Sequence, residues 1–168
     1  FIYDDLGRLV TTVFPDATHA DDTDNPTTHT AYDALGRVTA QTDQNDYVTR
    51  FEYDVLGRLT AVVDARSQRT EYGYDEAGNL ITQTDANSHV TRYEYDGLGR
   101  RLATELPLGQ RSSTAYDAAG NVESKTDFNG QTISYEYDTN NRLLFKHYPG
   151  GSSVVFTYTA TGRRESVT

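Results

Sequence analysis

The chain has 168 residues, with 15 Lys and Arg residues against 25 Asp and Glu residues and a formal net charge of -10 at pH 7. This acidic balance argues against a nucleic-acid interface, which requires a basic stripe of side chains. Cysteine is absent, so disulfides and thiolate metal sites are excluded. No apolar stretch approaches the roughly 20 residues of a membrane-spanning helix.

Tyrosine recurs at a fixed interval along the sequence. Seven tyrosines are spaced by 21 residues, and an eighth lies 29 residues before the first of them. A fixed period of this length indicates a repeat architecture. We therefore predict a single array of about eight repeats over residues 1–168, and we interpret the chain as a segment of a longer protein. The repeat tyrosines are Tyr3, Tyr32, Tyr53, Tyr74, Tyr95, Tyr116, Tyr137 and Tyr158.

The long first interval contains an insertion at residues 15–27, which is rich in Asp, Thr and Asn and is predicted to be an exposed loop. Asp21, Asp22 and Asp24 offer oxygen ligands of the kind that calcium accepts. No glycine-spaced loop or distal glutamate completes a known calcium site. A solvated loop without a metal is therefore the favoured interpretation.

The third repeat shows the predicted hairpin most clearly. Residues 48–53 alternate large and polar side chains, which is the period of a half-buried strand. Asp54 and Gly57 occupy the first and fourth places of a type I turn. Residues 58–63 form a second extended run. The outer turns that join one hairpin to the next vary more in sequence than the inner turns, with Asp-x-Asn or Pro/Gly patterns.

Register follows from the turn. A two-residue turn followed by a left-handed glycine bulge sets Asp54 opposite Arg58, an oppositely charged pair. The pairs that follow are Tyr53 with Leu59, Phe51 with Ala61 and Thr49 with Val63. All the large groups are then predicted to lie on one face. The other face is predicted to carry Arg50, Glu52, Arg92, Glu94 and Glu136.

The other copies have the same residues at the turn. An aspartate follows each repeat tyrosine except the last, and the residue after the turn glycine is arginine in six copies and asparagine in two. Asn141, which tolerates positive φ, replaces the glycine once. The turn glycines are Gly7, Gly36, Gly57, Gly78, Gly99, Gly120 and Gly162. The fold class predicted is all-β: tandem antiparallel hairpins forming a long ribbon that coils.

No constellation of acid, base and nucleophile is visible, so we predict no enzyme activity and no cofactor. The serines lack the context of a nucleophile elbow, and the histidines have no metal-ligand spacing. The repeat tyrosines are predicted to pack on the sheet, with sugar stacking as the alternative. The histidines are His19, His29, His89 and His147, and the departures from the repeat pattern are Arg101, Thr114, Phe128, Phe145 and Tyr148.

The run Tyr53-Asp54-Val55-Leu56-Gly57-Arg58-Leu59 resembles the YD repeat, also called the RHS repeat. Its asparagine form is Tyr74-Asp75-Glu76-Ala77-Gly78-Asn79-Leu80, and the likeness covers almost the whole chain. The family includes bacterial polymorphic toxins, toxin-complex subunits, wall-associated proteins and teneurins. In these proteins the repeats form a β-ribbon that spirals into a hollow shell, which encloses a toxic domain in the bacterial toxins.

The resemblance implies a non-enzymatic structural segment of a shell around a cargo or toxin polypeptide. Its implied partners are flanking repeats and an enclosed toxin domain, and its implied location is secreted or at the cell surface. The alternative is a carbohydrate- or cell-surface-binding module. Open sheet edges also predict self-association of the chain.

Overall fold

A computed structural model describes residues 1–14 and 25–168, and these residues form sixteen β-strands and no helix. The strands follow one another in chain order, from β1 to β16, in a single antiparallel sheet. The all-β prediction with tandem hairpins is therefore confirmed. No helix that would be long and apolar enough to span a membrane occurs in this part of the chain.

The strands have nearly uniform lengths, which reflects the repeat in the sequence. Each hairpin pairs a first strand of up to six residues with a second strand of four or five. The strands are β1 (Ile2–Tyr3), β2 (Leu9–Val13), β3 (Thr27–Tyr32), β4 (Val38–Thr42), β5 (Val48–Tyr53), β6 (Leu59–Val63), β7 (Arg69–Tyr74), β8 (Leu80–Thr84), β9 (Val90–Tyr95), β10 (Arg101–Glu105), β11 (Arg111–Tyr116), β12 (Val122–Thr126), β13 (Thr132–Tyr137), β14 (Leu143–His147), β15 (Ser153–Tyr158) and β16 (Arg164–Val167).

Contacts divide the chain into two compact units. The first comprises Phe1–Gly73 with Gln83–His89, and the second comprises Tyr74–Thr82 with Val90–Thr168. The single array over residues 1–168 stays a prediction. The insertion predicted at 15–27 lies largely outside the described residues, as do Asp21, Asp22 and Asp24, and Thr27 already belongs to β3.

The turn after each repeat tyrosine, which we call the inner turn, has the predicted geometry. In the third copy, the Asp54 amide donates to the Arg58 carbonyl at 2.9 Å and the Gly57 amide donates to the Asp54 carbonyl at 3.0 Å. Gly57 has a φ of 84°, a left-handed conformation that a residue without Cβ adopts readily. The same pair of backbone bonds closes all eight inner turns, including the last, where Thr159 replaces aspartate.

The predicted register is correct at Tyr53 and Leu59 and wrong beyond them. Glu52, not Phe51, faces Ala61, because the register shifts by one residue at Thr60. An extra residue of this kind is a β-bulge, which raises the local twist and moves the following side chains to the other face. The same shift occurs in every hairpin for which the structure gives the register.

The bulge changes which side chains share a face. Phe51 now faces Val62, and these two lie with Tyr53 and Leu59 on one side of the sheet. We call this side the ring face, and we call the opposite side, which carries Glu52 and its equivalents, the charged face. The prediction that all large groups fall on one face was wrong for Ala61 and Val63, which belong to the charged face: Ala61 faces Glu52 and Val63 faces Arg50.

The outer turns share one backbone geometry although their sequences vary. The Asp64 amide donates to the Gln68 carbonyl and the Ser67 amide donates to the Asp64 carbonyl, as in the inner turns. Ser67 has a φ of 62°, so a residue with a side chain occupies the left-handed position that glycine holds in the inner turns. Asp46 and Ser88 do the same, with φ of 63° and 64°. The left-handed position is therefore filled without glycine in these three turns.

The sheet has almost no buried core of its own. Among the described residues, the only buried hydrophobic side chains are those of Ala61 and Ala103, and both lie on the charged face. Most aromatic side chains of the ring face, including Phe51 and Tyr53, are only half-buried, and Phe1 and Tyr3 in the first hairpin are exposed. A sheet normally buries its apolar face against another layer. The described residues supply no second layer to either unit.

Candidate functional site

The inner turn is held by the aspartate that follows each repeat tyrosine. In the third copy, Asp54 Oδ1 accepts the backbone amides of Leu56 and Arg58, each at 2.9 Å. Asp54 Oδ2 accepts Nε of Arg58 at 2.7 Å. One carboxylate therefore caps the turn and fixes the arginine side chain, which is the role predicted for this residue from its position before the glycine.

The arginine then links one copy to the next. Arg37 Nη1 donates to the Asp54 carbonyl at 3.2 Å, and the Arg37 guanidinium lies 4.7 Å from the centre of the Tyr53 ring. The Tyr53 hydroxyl donates back to the Val38 carbonyl at 2.9 Å. These two inner turns are thus joined by a charge-assisted hydrogen bond, a cation–π contact and a tyrosine hydroxyl bond. We call this arrangement the inner-turn ladder.

The inner-turn ladder recurs within both units. Arginine lies over the next repeat tyrosine in Arg8–Tyr32, Arg37–Tyr53, Arg100–Tyr116 and Arg142–Tyr158, at 4.2 to 4.8 Å. The tyrosine hydroxyl bonds to a carbonyl of the preceding hairpin at Tyr32, Tyr53, Tyr116, Tyr137 and Tyr158. Because a ring face and the hydroxyl are both engaged in Tyr32, Tyr53, Tyr116 and Tyr158, the geometry favours packing over sugar stacking for these four tyrosines.

The ladder also shifts the ionisation of the aspartates. Hydrogen bonds from the Arg58 amide and side chain and from the Leu56 amide lower the pKa of Asp54 below its ordinary value of 3.8. These bonds favour the charged form. The pKa is lowered in the same direction in each of the first seven inner turns, at Asp4, Asp33, Asp54, Asp75, Asp96, Asp117 and Asp138.

The charged face contains a second ionic arrangement, which sequence reasoning missed. Arg69 donates to both carboxylate oxygens of Glu52, at 2.7 and 2.8 Å, and its Nε donates to Glu71 at 2.8 Å. Ala61 lies between these partners, because it faces Glu52 on one side and Glu71 on the other. The guanidinium therefore spans β6 above Ala61, which is fully buried. The hydrogen bonds with Glu52 and then Glu71 raise the pKa of Arg69.

This clamp recurs in alternate copies. Arg111 donates to both oxygens of Glu94 at 2.6 Å, and Glu94 faces the buried Ala103. In the third instance, Ser153 occupies the arginine position, and His147, which is equivalent to Val63, bridges it to the glutamate: His147 Nε2 contacts Glu136 at 2.9 Å and its Nδ1 contacts the Ser153 hydroxyl at 2.7 Å. The signal in the sequence is the glutamate before every second repeat tyrosine, Glu52, Glu94 and Glu136.

The Ser153–His147–Glu136 set has the residue types of a hydrolytic triad but lies on an open strand surface. The Glu136 side chain is 61% exposed, and the His147 ring stacks on Phe145 at 5.6 Å. Hydrolytic catalysis needs preorganised donors in a site that excludes water, and an open strand surface does not exclude it. The residues occupy the position of the Arg69 clamp, and they do what it does: they join three neighbouring strands.

The predicted site residues all lie on the inner-turn edge. Each repeat tyrosine ends the first strand of its hairpin, and each predicted glycine has positive φ in the turn that follows. The described histidines are dispersed: His29 is bonded to Thr11 and Thr27, and His89 to Asp85. His19 lies outside the described residues. Within residues 1–14 and 25–168, no three His, Cys, Asp or Glu side chains are grouped so as to hold a metal ion.

Comparison with known proteins relates the chain to one family and one group of structures. A profile of the RHS Repeat family matches residues 32–69, 53–87, 74–111 and 116–152. Comparison with curated proteins found no match.

The structure is similar to "Crystal Structure of TcdB2-TccC3-Cdc42", with a TM-score of 0.70 and 18% identity over 98% of this chain. It is also similar to "Structure of Photorhabdus luminescens Tc holotoxin pore, Mutation TccC3-D651A", with a TM-score of 0.68 and 19% identity over 96% of this chain. The chain spans only 11% and 10% of the length of those two chains. At this level of identity the likeness shows a shared fold. Since the family profile covers more than half of the residues, the chain belongs to the RHS repeat family.

Proposed function

We propose that the chain is a non-enzymatic segment of the wall of an RHS-repeat shell, and that this shell encloses a cargo or toxin polypeptide. The wall acts sterically, by keeping the polypeptide away from solvent and from other proteins. The observation that carries this proposal is a single-layer sheet whose ring face is at most half-buried and is covered by no other layer among the described residues. The similarity to toxin-complex chains supports the same role. A secreted or cell-surface location goes with it.

Flanking repeats are the first partners that this function requires. At the two ends of the strand order, β1 pairs with β2 and β16 pairs with β15, and each has one edge without a neighbouring strand in the described chain. Free strand edges template the addition of further strands. We therefore propose that RHS repeats of a longer chain continue the sheet at both edges. The same edges would mediate self-association of the isolated chain.

The enclosed polypeptide can be tested in a longer protein that contains this wall. We expect protease to spare the enclosed polypeptide while the wall is intact. The substitution Tyr53→Ala removes a ring, a cation–π contact and a hydroxyl bond from the inner-turn ladder, so it should expose the polypeptide to cleavage. The substitution Val55→Ala is the control, since this side chain is 100% exposed at an inner turn.

The readout is the rate of cleavage of the enclosed polypeptide in a limited digest. Equal cleavage of that polypeptide inside the intact wall and after its release would contradict a sheltering role. The comparison is made at a temperature where Tyr53→Ala is partly unfolded. If the variant still protects the polypeptide as well as the unaltered protein does, protection does not depend on this segment being folded.

A further inference from the structure

Two cavities on the ring face occur at the same place in two different copies. One has a volume of 350 Å³ and is lined by Thr30, Gln41 and Asp43, among others, in the first unit. The other has a volume of 420 Å³ and is lined by the corresponding Thr114, Lys125 and Asp127 in the second unit. Both volumes lie within the range of small-molecule sites, at roughly 300–1,000 Å³. Four repeats separate the two cavities in the sequence.

A missing ring accounts for both cavities. Two residues before the repeat tyrosine, most copies place an aromatic side chain on the ring face. Thr30 and Thr114 occupy this position instead, and a threonine fills much less space than a phenylalanine or tyrosine. The aromatic residues at the equivalent positions are Phe1, Phe51, Tyr72, Tyr93, Tyr135 and Phe156. The repeat itself therefore indicates the shape that fits: one planar ring lying on the sheet.

Two neighbouring lysines show what the Thr114 cavity lacks. Lys146 faces Tyr135 across the strands, and its Nζ lies 4.6 Å from the centre of the Tyr148 ring. Lys125 occupies the equivalent place one copy earlier, where Thr114 stands for Tyr135 and Asp127 stands for Tyr148, so Lys125 lacks both aromatic neighbours of Lys146. A cation beside an empty ring position favours an aromatic guest, because an aromatic face attracts positive charge. Tyr135 and Tyr148 line the same cavity and offer further ring surface.

Each cavity also contains a carboxylate oxygen that is available for a guest. Asp127 Oδ1 accepts the amides of Asn129 and Gln131, and Asp43 Oδ1 accepts two turn amides in the same way. Within the described residues, no donor is bonded to Oδ2 of either aspartate. In the inner turns this second oxygen is taken by the arginine or asparagine that follows the glycine. A guest that donates a hydrogen bond is therefore preferred over one that does not.

We infer that the Thr30 and Thr114 cavities each receive an aromatic side chain with a hydrogen-bond donor, of the tyrosine type, from a polypeptide lying against the ring face. This inference rests on the proposed function, because the enclosed polypeptide supplies the side chain. The guest ring takes the position that Phe51 or Tyr135 holds elsewhere in the array. The wall thereby holds the polypeptide at defined points instead of only surrounding it.

The test uses N-acetyl-tyrosinamide as the probe and amide chemical shifts of the 168-residue chain as the readout. We expect saturable shifts in β3–β5 and in β11–β14, with dissociation constants in the millimolar range that is usual for so small a ligand, on the order of 1 mM. The substitution Thr114→Tyr fills one cavity and should weaken binding at β11–β14 by at least about tenfold, without changing binding at β3–β5. The substitution Thr30→Phe should do the reverse.

These two variants control for each other, since each leaves the other cavity intact in the same molecule. Thr132→Tyr is a further control: it places the same ring on the charged face beside the second cavity and should leave both sites unchanged. The inference is overturned if no saturable shift occurs, if N-acetyl-leucinamide binds equally well, or if methyl glucoside binds more tightly. None of these results bears on protease protection in the longer protein, so the proposed function is tested separately.

Discussion

The two long edges of the ribbon use the same turn geometry in different ways. At the inner-turn edge, Asp54 fixes its own arginine, and Arg37 reaches from the copy before it to the Asp54 carbonyl and the Tyr53 ring. At the outer-turn edge, Asp64 Oδ1 accepts only the amides of its own turn, from Arg66 and Gln68. The inner edge therefore connects neighbouring copies, whereas the outer turn closes on itself.

This difference explains where the sequence varies. A side chain that bonds to both its own turn and the next one cannot change without disturbing two copies. The inner turns therefore keep aspartate, glycine and arginine in most copies. The outer turns need only a left-handed residue, which is Ser67, Asp46 or Gly130 in different copies. Their surroundings are correspondingly free to change, and Asp43 and Asp127 at the start of outer turns line the two ring-face cavities.

Acid should produce the largest effect, because the same carboxylate recurs in seven inner turns. The hydrogen bonds from the following residues lower the pKa of Asp54 and its equivalents below 3.8. A group whose pKa is lower in the folded chain stabilises it above the unfolded pKa, and this stability is lost as the pH falls through the folded value. We therefore expect the denaturant concentration at the midpoint of unfolding to stay nearly constant between pH 7 and 5 and to fall steeply below pH 3.8.

The variant Asp54→Asn checks the origin of this acid sensitivity. It removes the charge that Arg58 contacts, so it should be less stable than the unaltered chain at pH 7. The difference in denaturant midpoint between the two proteins should shrink as the pH falls below 3.8. A difference that persisted unchanged at pH 2 would assign the acid transition to other groups.

Removing one tyrosine from each edge tests the comparison directly. Tyr53→Ala loses a half-buried ring, the contact with Arg37 and the bond to the Val38 carbonyl, for a loss of about 2–3 kcal/mol in the free energy of unfolding. Tyr47→Ala removes a side chain that is 61% exposed and should cost less than about 0.5 kcal/mol. Denaturant unfolding measures both. Equal losses in the free energy of unfolding would show that the two edges contribute equally to stability.

Glycine at the inner turn should be hard to replace. Gly57→Val forces a β-branched residue into a φ of 84°, at a cost of order 1–3 kcal/mol. Gly97→Val is the matched control, because Gly97 lies in an inner turn without positive φ, has open space at its Cβ position and corresponds to Val55 of the third copy. An unchanged unfolding midpoint for Gly57→Val would contradict the turn assignment.

At the outer-turn edge, replacing a left-handed residue by glycine should raise the free energy of unfolding. Ser67→Gly relieves a left-handed residue with a φ of 62°, partly offset by the greater freedom of glycine in the unfolded chain. We expect a gain of up to about 1 kcal/mol in the free energy of unfolding. Gly130→Ser makes the converse change at the equivalent position and should lose a similar amount. A loss of stability in both variants would mean that the Ser67 side chain contributes more than its backbone costs.

The inner edge could be predicted from sequence because its chemistry is local. Asp54, Gly57 and Arg58 interact within one turn, so their spacing alone gives the geometry. The bulge at Thr60 could not be predicted in this way, because no glycine or proline marks it and it depends on how two strands twist together. The Arg69 clamp could not be predicted for a related reason. Arg69 and Glu52 are 17 residues apart, and their contact above Ala61 depends on the face that the bulge gives to Ala61.

The Arg69 clamp should give the smallest effect, although its bonds are short. Both partners are substantially exposed, at 41% and 50% of the side-chain surface, and exposed ion pairs contribute about 0.2–1 kcal/mol. Arg69→Gln should therefore lower the free energy of unfolding by no more than that amount, and the difference should diminish in 1 M salt, where the screening length is about 3 Å. Arg66→Gln, at an exposed outer turn, is the control and should change little at any salt concentration. A large loss in the free energy of unfolding that does not depend on salt would mean that the guanidinium acts mainly by covering Ala61. The charged face would then stabilise the sheet by packing, which the outer turns do not do.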